Sequence, residues 1–417
     1  MGDVLMGWSR RSVLASLAGL GVVGLSARGA APARRLVVVV SSGGWDPSFT
    51  VDPKPHVTAG GPYPDLDPDD PLDLESLGSW GEITVSLNAA RRPAVTRFFD
   101  TWADRALVVN GLWTGSLSHW TAMDRLLTGT DAAGAPDFAV IAGAEAGGSA
   151  ALAALDLSGL SRLGPYAPRC ARVGVRAQLD ALLDPSIRLD APDGRRPEWQ
   201  PTGADRAAIR AFLEARGGRR APEWEDRLQA MDAADRVRAL APDLVGQLPY
   251  GRRSGFADQV PYAVQLLATD TCNAVVMGTG LQWDTHADAG RQHESWNGTF
   301  AGLGELASAL DLAGLLSDTV VVALSELGRT PERNAQGGTG HWPYTSAIVF
   351  GGAIDGRRVL GGTDDRSIGL GVDRTSGRPR SGAPLLDTGT FAAGLLTSLG
   401  VDPQRWLPGI EPLGGLF

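Results

Sequence analysis

The sequence predicts an α/β fold: a doubly wound, mostly parallel sheet with helices on both faces and a helical insertion. Three observations in the 417 residues predict it. Apolar runs bounded by glycine, such as Leu36 to Val40 and Thr319 to Leu324, read as strands buried on both faces, the habit of parallel sheets. These runs alternate with helical segments, the mark of βαβ units. Polar, chemistry-bearing residues then collect just past the runs, where ligand sites of open parallel sheets lie.

The elements follow in order. "RRLVVVVSSGGWD" opens with the first strand, and "ADRALVVNGLWTG" carries a second at "LVV". From about Gly147 to Gly255 the chain turns rich in Ala, Arg, Asp and Glu, with helical segments "GADRAAIRAFLEAR" and "WEDRLQAMDAADRVRALAP". No buried strand signal falls between Asp205 and Leu244, so residues at about 150–255 read as a helical insertion or cap within one domain spanning 34–417. "TDTCNAVVMGTG" brings the next strand. A helix from about Gly302 to Leu316 feeds the strand Thr319 to Leu324, "SAIVFGGAI" is a fifth strand, and "TFAAGLLTSLGVD" a late helix. The acidic stretch Pro62 to Glu75 is a solvated loop. Asp70 and Ser76 stand where an EF-hand loop needs glycine and glutamate.

Composition narrows the function classes. The chain is 43% hydrophobic and 20% charged with net charge −9, which argues against a nucleic-acid or anionic-membrane partner. Lys54 is its single lysine. Cys170 and Cys272 show no metal-type spacing; one disulfide or two buried thiols both stay open. Arg10 and Arg11 precede about fifteen apolar or small residues, too short a run for a membrane span of roughly 20. Its flanks fit a cleaved export signal over residues 1–33 of the twin-arginine type, which engages the twin-arginine translocase and delivers a folded protein to the periplasm or outside. Removing it takes away three arginines and Asp3, leaving an acidic mature chain at −11 with no stable membrane span.

Four segments past strand ends carry candidate chemistry. They deliver Asp46; then Thr114, Ser116, Ser118 and His119; then Asp284, His286 and His293; then Glu326, Arg329 and His341. Four of the five histidines fall there. Asp284 and His286 are two apart and share a face when extended, a pair that suits a borderline cation such as Zn²⁺ or Mn²⁺. Asp46 taken alone reads first as a turn or helix-capping residue after the glycines. Glu326 at a buried strand end needs a partner, and Arg329 is one candidate.

These residues carry a resemblance. "SELGRTP…GGTGHWP" resembles the signature of the DUF1501 proteins, which read Ser-Glu-Phe-Gly-Arg-Thr-Pro and then Gly-Gly and Asp-His. "QWDTHAD", "GGWDPSFTVDPKP" and "SLSHWTAMDRLLTGT" are similar to further segments of that family, which is placed in the alkaline phosphatase and sulfatase superfamily. The resemblance implies a doubly wound α/β fold whose strand ends hold one or two divalent cations (Zn, Mn, Ca or Mg). By position it implies Asp46, Asp284, His286, Glu326 and His341 as metal ligands. Ser118, or else Thr114 or Ser116, would take the nucleophile's place. Arg329 would hold a substrate oxyanion bidentately. Gly340 stands where relatives carry Asp, and Leu327 where the superfamily usually has His. One metal, a non-hydrolytic descendant of the fold, and His119 as a direct ligand therefore all stay open.

The implied chemistry is metal-assisted displacement at the phosphorus or sulfur of a small anionic ester. Two other expectations stand beside it: a secreted binding or assembly protein on the same fold, and a hydrolase using Ser118 with a histidine base.

Overall fold

The computed structural model describes residues 35–54, 75–146, 150–172, 202–217, 222–239, 255–352 and 354–416. The expected export signal, all of the acidic loop but Glu75, and much of the helical middle lie outside these. In chain order the strands are β1 (Arg35–Val40), β2 (Ser76–Trp80), β3 (Ile83–Leu87), β4 (Ala106–Trp113), β5 (Leu152–Asp156), β6 (Cys170–Arg172), β7 (Cys272–Gly278), β8 (Thr319–Leu324), β9 (Gly328–Arg333), β10 (Thr339–Trp342), β11 (Tyr344–Gly351) and β12 (Arg358–Gly361). The α-helices are α1 (Pro93–Trp102), α2 (His119–Thr128), α3 (Phe138–Glu145), α4 (Gly203–Gly217), α5 (Pro222–Ala239), α6 (Phe256–Ala268), α7 (Arg291–Leu312) and α8 (Thr388–Ser398).

Among the described residues one eight-stranded sheet runs in the order β12-β4-β11-β8-β1-β7-β5-β6. Its pairings are parallel except those of β11, which is antiparallel to β4 and β8. The mixed, mostly parallel sheet with helices on both faces is the α/β class expected. β1 shows why its sequence is unbroken apolar: Val37 and Val39 pack into one cluster with α1, α6 and α7, while Leu36, Val38 and Val40 pack into the other with α2, α3 and α8. Two-sided burial of the central strand leaves no position for a polar residue.

Two features depart from the sequence reading. β5 and β6 fall inside the stretch expected as a helical insertion, yet both are built into the sheet. The β5 run "LAALD" lacks β-branched residues, so its strand character comes from burial against α3 rather than from propensity. The expected glycine bend before His341 is largely a two-stranded ribbon, β9 with β10, with only the turn from Asn334 to Gly338 between them. That ribbon lets the chain reverse and enter β11 antiparallel. Of the two states left open for the cysteines, the structure shows free buried thiols, Cys170 on β6 and Cys272 on β7, separated by β5. No helix among the described residues is long and apolar enough to cross a membrane.

Register sets the place of the site. Val40 pairs with Gly278 on one side and Leu324 on the other, so β1, β7 and β8 end level. The loops beyond them emerge side by side at the carboxyl edge.

Candidate metal centre

The loops after β1 and β7 share a pattern, Trp45–Asp46 and Trp283–Asp284. Both indoles are fully buried. Trp45 stacks on Trp296 of α7 at 4.6 Å, and Trp283 meets both edge-on at 6.0 and 5.2 Å. Each indole N–H is satisfied: Trp45 donates to Thr345 Oγ1, Trp283 to Thr279 Oγ1 and Trp296 to the Asp46 carbonyl. A rigid aromatic floor thus carries both loops. Gln292, fully buried on α7, clips them together: its Oε1 accepts from Asp46 N, and its Nε2 donates to Gly44 O, Trp283 O and Thr285 Oγ1. Sequence reasoning missed the tryptophans and Gln292. The repeated Trp-Asp after two strands was the available signal.

The β9–β10 ribbon closes the site from the third side. Its turn lies on the loop after β7: Asn334 Nδ2 donates to His286 O at 2.7 Å and Thr339 N to Thr285 O at 3.1 Å. A Cβ on Gly338 would sit 2.0 Å from the His286 carbonyl, so only glycine allows this approach. His341 then stands opposite Arg329 in the ribbon, and its Nε2 lies 2.9 Å from His286 Nε2 and 3.6 Å from Asp284 Oδ1.

Among the described residues, His119, Asp284 and His341 each offer a ligand atom, all within 4.8 Å of one another. His286 Nε2 is 3.1 Å from Asp284 Oδ1, at the solvent side of the same group. Two of the imidazoles have their far nitrogen tied: His119 Nδ1 to Glu326 Oε1 and His341 Nδ1 to Leu117 O, both at 2.7 Å. Those bonds leave Nε2 of each ring for the centre, the pattern that outer partners impose on metal-ligating histidines. Two imidazoles and a carboxylate at this spacing fit a borderline divalent cation. The Glu326 hydrogen bond raises the His119 pKa, while burial lowers that of His341. Burial works to raise Asp284, but the Arg329 hydrogen bond and charge, helped by His286 and His119, hold it below the usual carboxylate range.

Other expected site residues lie differently. Asp46 turns its carboxylate onto Ser48, accepting from Ser48 N at 3.1 Å and Ser48 Oγ at 2.6 Å, and so caps a short 3-10 turn. Burial lifts its pKa to about 6. It is outside the three-residue group, as is Glu326, which is fully buried behind His119. Arg329 corrects a sharper expectation. Its side chain is fully buried and donates to Gly44 O at 2.8 Å, Thr339 O at 3.3 Å, Trp283 O at 2.9 Å, Asp284 Oδ1 at 2.7 Å and Gly43 O. A guanidinium so occupied has no fork to offer a substrate. His293 sits apart, bonded to Arg92 and packed on Phe49, with burial and the Arg92 charge driving its pKa down to about 3. Of the three hydroxyls, Thr114 is buried and bonded to Pro343 O, and Ser116 Oγ accepts from Ser118 N. Ser118 is exposed at the N-cap of α2 and its hydroxyl makes no capping bond. Leu117 and Trp120, on either side of Ser118 and His119, give the rim an exposed apolar edge.

Residues 200–407 match the family model DUF1501, described as a protein of unknown function. Asp284, His286, Glu326, Arg329 and His341 fall inside the match; Asp46, Ser118 and His119 precede it. No curated protein matches the chain in sequence. Similar solved structures include the lipoteichoic acid synthase of Listeria monocytogenes, at 9% identity over 97% of this chain and 79% of that one, TM-score 0.41. An alkaline phosphatase superfamily protein of Vibrio parahaemolyticus is 9% identical over 97% and 78%, TM-score 0.35. A phosphonate monoester hydrolase of Agrobacterium radiobacter is 13% identical over 91% and 78%, TM-score 0.34.

Proposed function

We propose that this chain is an exported hydrolase of phosphate or sulfate esters that works with one divalent metal. The observation that carries the reading is the group His119, Asp284 and His341, with two rings fixed by bonds from their far nitrogens. Those three would hold the ion, with His286 beside them. Imidazole and carboxylate donors favour Zn²⁺ or Mn²⁺ over Ca²⁺ or Mg²⁺. When bound, the metal would supply Lewis-acid chemistry: activation of a nucleophile and neutralisation of charge on the ester oxygens.

The chain's own residues do the rest. Ser118 presents a hydroxyl at the start of α2, next in sequence to His119, and takes the nucleophile's role among the three candidates. The first turn of α2 favours a bound anion. The α4–α5 pair belongs to an insertion on the sheet domain, and residues 1–33 direct export through the twin-arginine translocase to the periplasm or beyond. Replacing Arg10 and Arg11 by lysine and following the protein by fractionation tests that part.

The central test is the metal content of residues 34–417 beside Asp284→Ala. About one equivalent in the parent and none in the variant supports the site; metal in neither overturns it. A panel of phosphomonoesters, phosphodiesters and sulfate esters then reads activity. A second reading, a metal-holding binding protein, is favoured by one observation: Arg329 is buried and turned onto Asp284 and backbone carbonyls, with no bidentate fork presented to a substrate oxyanion. Metal binding without turnover across the panel selects it.

A further inference from the structure

Resting on that metal-site reading, we propose that the Gly43–Gly44 turn, Glu326 and Arg329 form one positioning unit that holds His119 and Asp284 in ligating orientation. Glu326 Oε1 takes two donors, His119 Nδ1 at 2.7 Å and Gly43 N at 2.8 Å, while Oε2 accepts from Ser325 Oγ at 3.2 Å. Its oxygens are engaged behind the imidazole, and freeing a buried carboxylate from its partners is costly. Arg329 does for Asp284 what Glu326 does for His119. Its Nη2 bonds Asp284 Oδ1, and the guanidinium also donates to backbone carbonyls of the loops after β1 and β7 and of Thr339 at the start of β10.

The glycine turn joins the two arms. Gly43 N bonds Glu326, while the carbonyls of Gly43 and Gly44 accept from Arg329. Both residues have positive φ, +124° and +83°. A Cβ on Gly43 would stand 2.9 Å from Asp284 N, and one on Gly44 3.1 Å from Arg329 Nε. The turn is therefore backbone alone: a side chain at Gly43 would strike the Trp283–Asp284 loop and one at Gly44 the Arg329 guanidinium, while the turn's amide and carbonyls reach Glu326 and Arg329. Glu326 raises the basicity of the His119 ring and both partners fix the orientation of the group they hold; loss of outer partners typically costs about 10–100-fold in metal affinity.

The experiment is a chelator-competition titration with Zn²⁺, paired with the visible absorption of the Co²⁺-loaded protein. It compares the parent with Glu326→Gln, Arg329→Lys and Gly43→Ala, with Asp284→Ala and His119→Ala as ligand controls. Weakening of about 10–100-fold in each positioning variant, with a changed Co²⁺ spectrum and an intact circular dichroism spectrum, is expected. Because the arms share the turn, Glu326→Gln and Arg329→Lys combined should be non-additive. Glu326→Gln alone decides should Arg329→Lys misfold, since it keeps the shape of the site. Parent-like affinity and spectrum in Glu326→Gln, with metal lost from Asp284→Ala, overturns the positioning unit and leaves the metal site standing. Parent-like binding in both ligand controls overturns the two together.

Discussion

Asp46 and Asp284 begin alike. Each follows a buried tryptophan, each lies just past the end of a central parallel strand, and one glutamine clips both loops to α7. Their fates diverge at the next residue. Pro47 starts a 3-10 turn, which draws the Asp46 carboxylate onto Ser48 as a cap and buries it. Thr285 and His286 instead continue an irregular loop pinned by the β9–β10 turn, so Asp284 stays 43% exposed and faces three histidines and Arg329. Place at a strand end makes a residue available to a site; the local backbone beyond it decides whether the side chain is delivered.

The largest effect that bears on this contrast comes from Asp284→Ala. It should weaken metal binding by more than about 100-fold, beyond what outer-shell changes cost, and abolish turnover with it. Metal analysis and the ester panel check both. Retained metal would place the ion elsewhere and erase the distinction between the two aspartates.

The shared floor comes next. Trp283→Ala removes a fully buried indole and should cost about 3–5 kcal/mol, read by denaturant unfolding. Because Trp45 and Trp283 contact each other and Trp296, Trp45→Ala should combine with it non-additively. Additive losses would mean that the loops rest on independent supports. Ser118→Ala addresses chemistry: kcat should fall at least about 100-fold with metal content unchanged, while Ser116→Ala stays near the parent. Equal, small effects from both would remove Ser118 from the nucleophile's role.

Much of this was legible in the sequence because it depends on burial patterns. The unbroken apolar runs of β1, β7 and β8 announce strands covered on both faces, and polar residues past three such runs converge once the strands pair level. Asp284 and His341 came from two of those segments, and His119 from the one after β4. The roles of Glu326 and Arg329 were not legible, because a ligand and the group behind a ligand are the same residue types at the same strand end. For Glu326 only the direction of its oxygens separates the two roles, and one of them meets His119 and the amide of Gly43, 283 residues away in the chain. β5 hid for another reason: "LAALD" has no β-branched residue, and only its neighbours in the sheet make it a strand.

Asp46→Asn tests the other half of the contrast and has the smallest expected effect on function. As a cap turned from the centre, Asp46 should be replaceable by asparagine with metal content unchanged, since the amide oxygen can still accept from Ser48. Its stability signature is more informative. Burial raises the folded-state pKa from 3.8 to about 6. A group raised in this way contributes stability that is fully present below the unfolded value and is lost as pH climbs through the folded one. The parent should therefore lose up to about 3 kcal/mol between roughly pH 4 and pH 7 from this residue. The asparagine variant, carrying no charge to desolvate, should lack that slope, as urea unfolding across the range would show. Metal loss in the variant, or an unchanged pH slope, would mean that Asp46 is held ionised by something at the centre, and the two aspartates would then be partners after all.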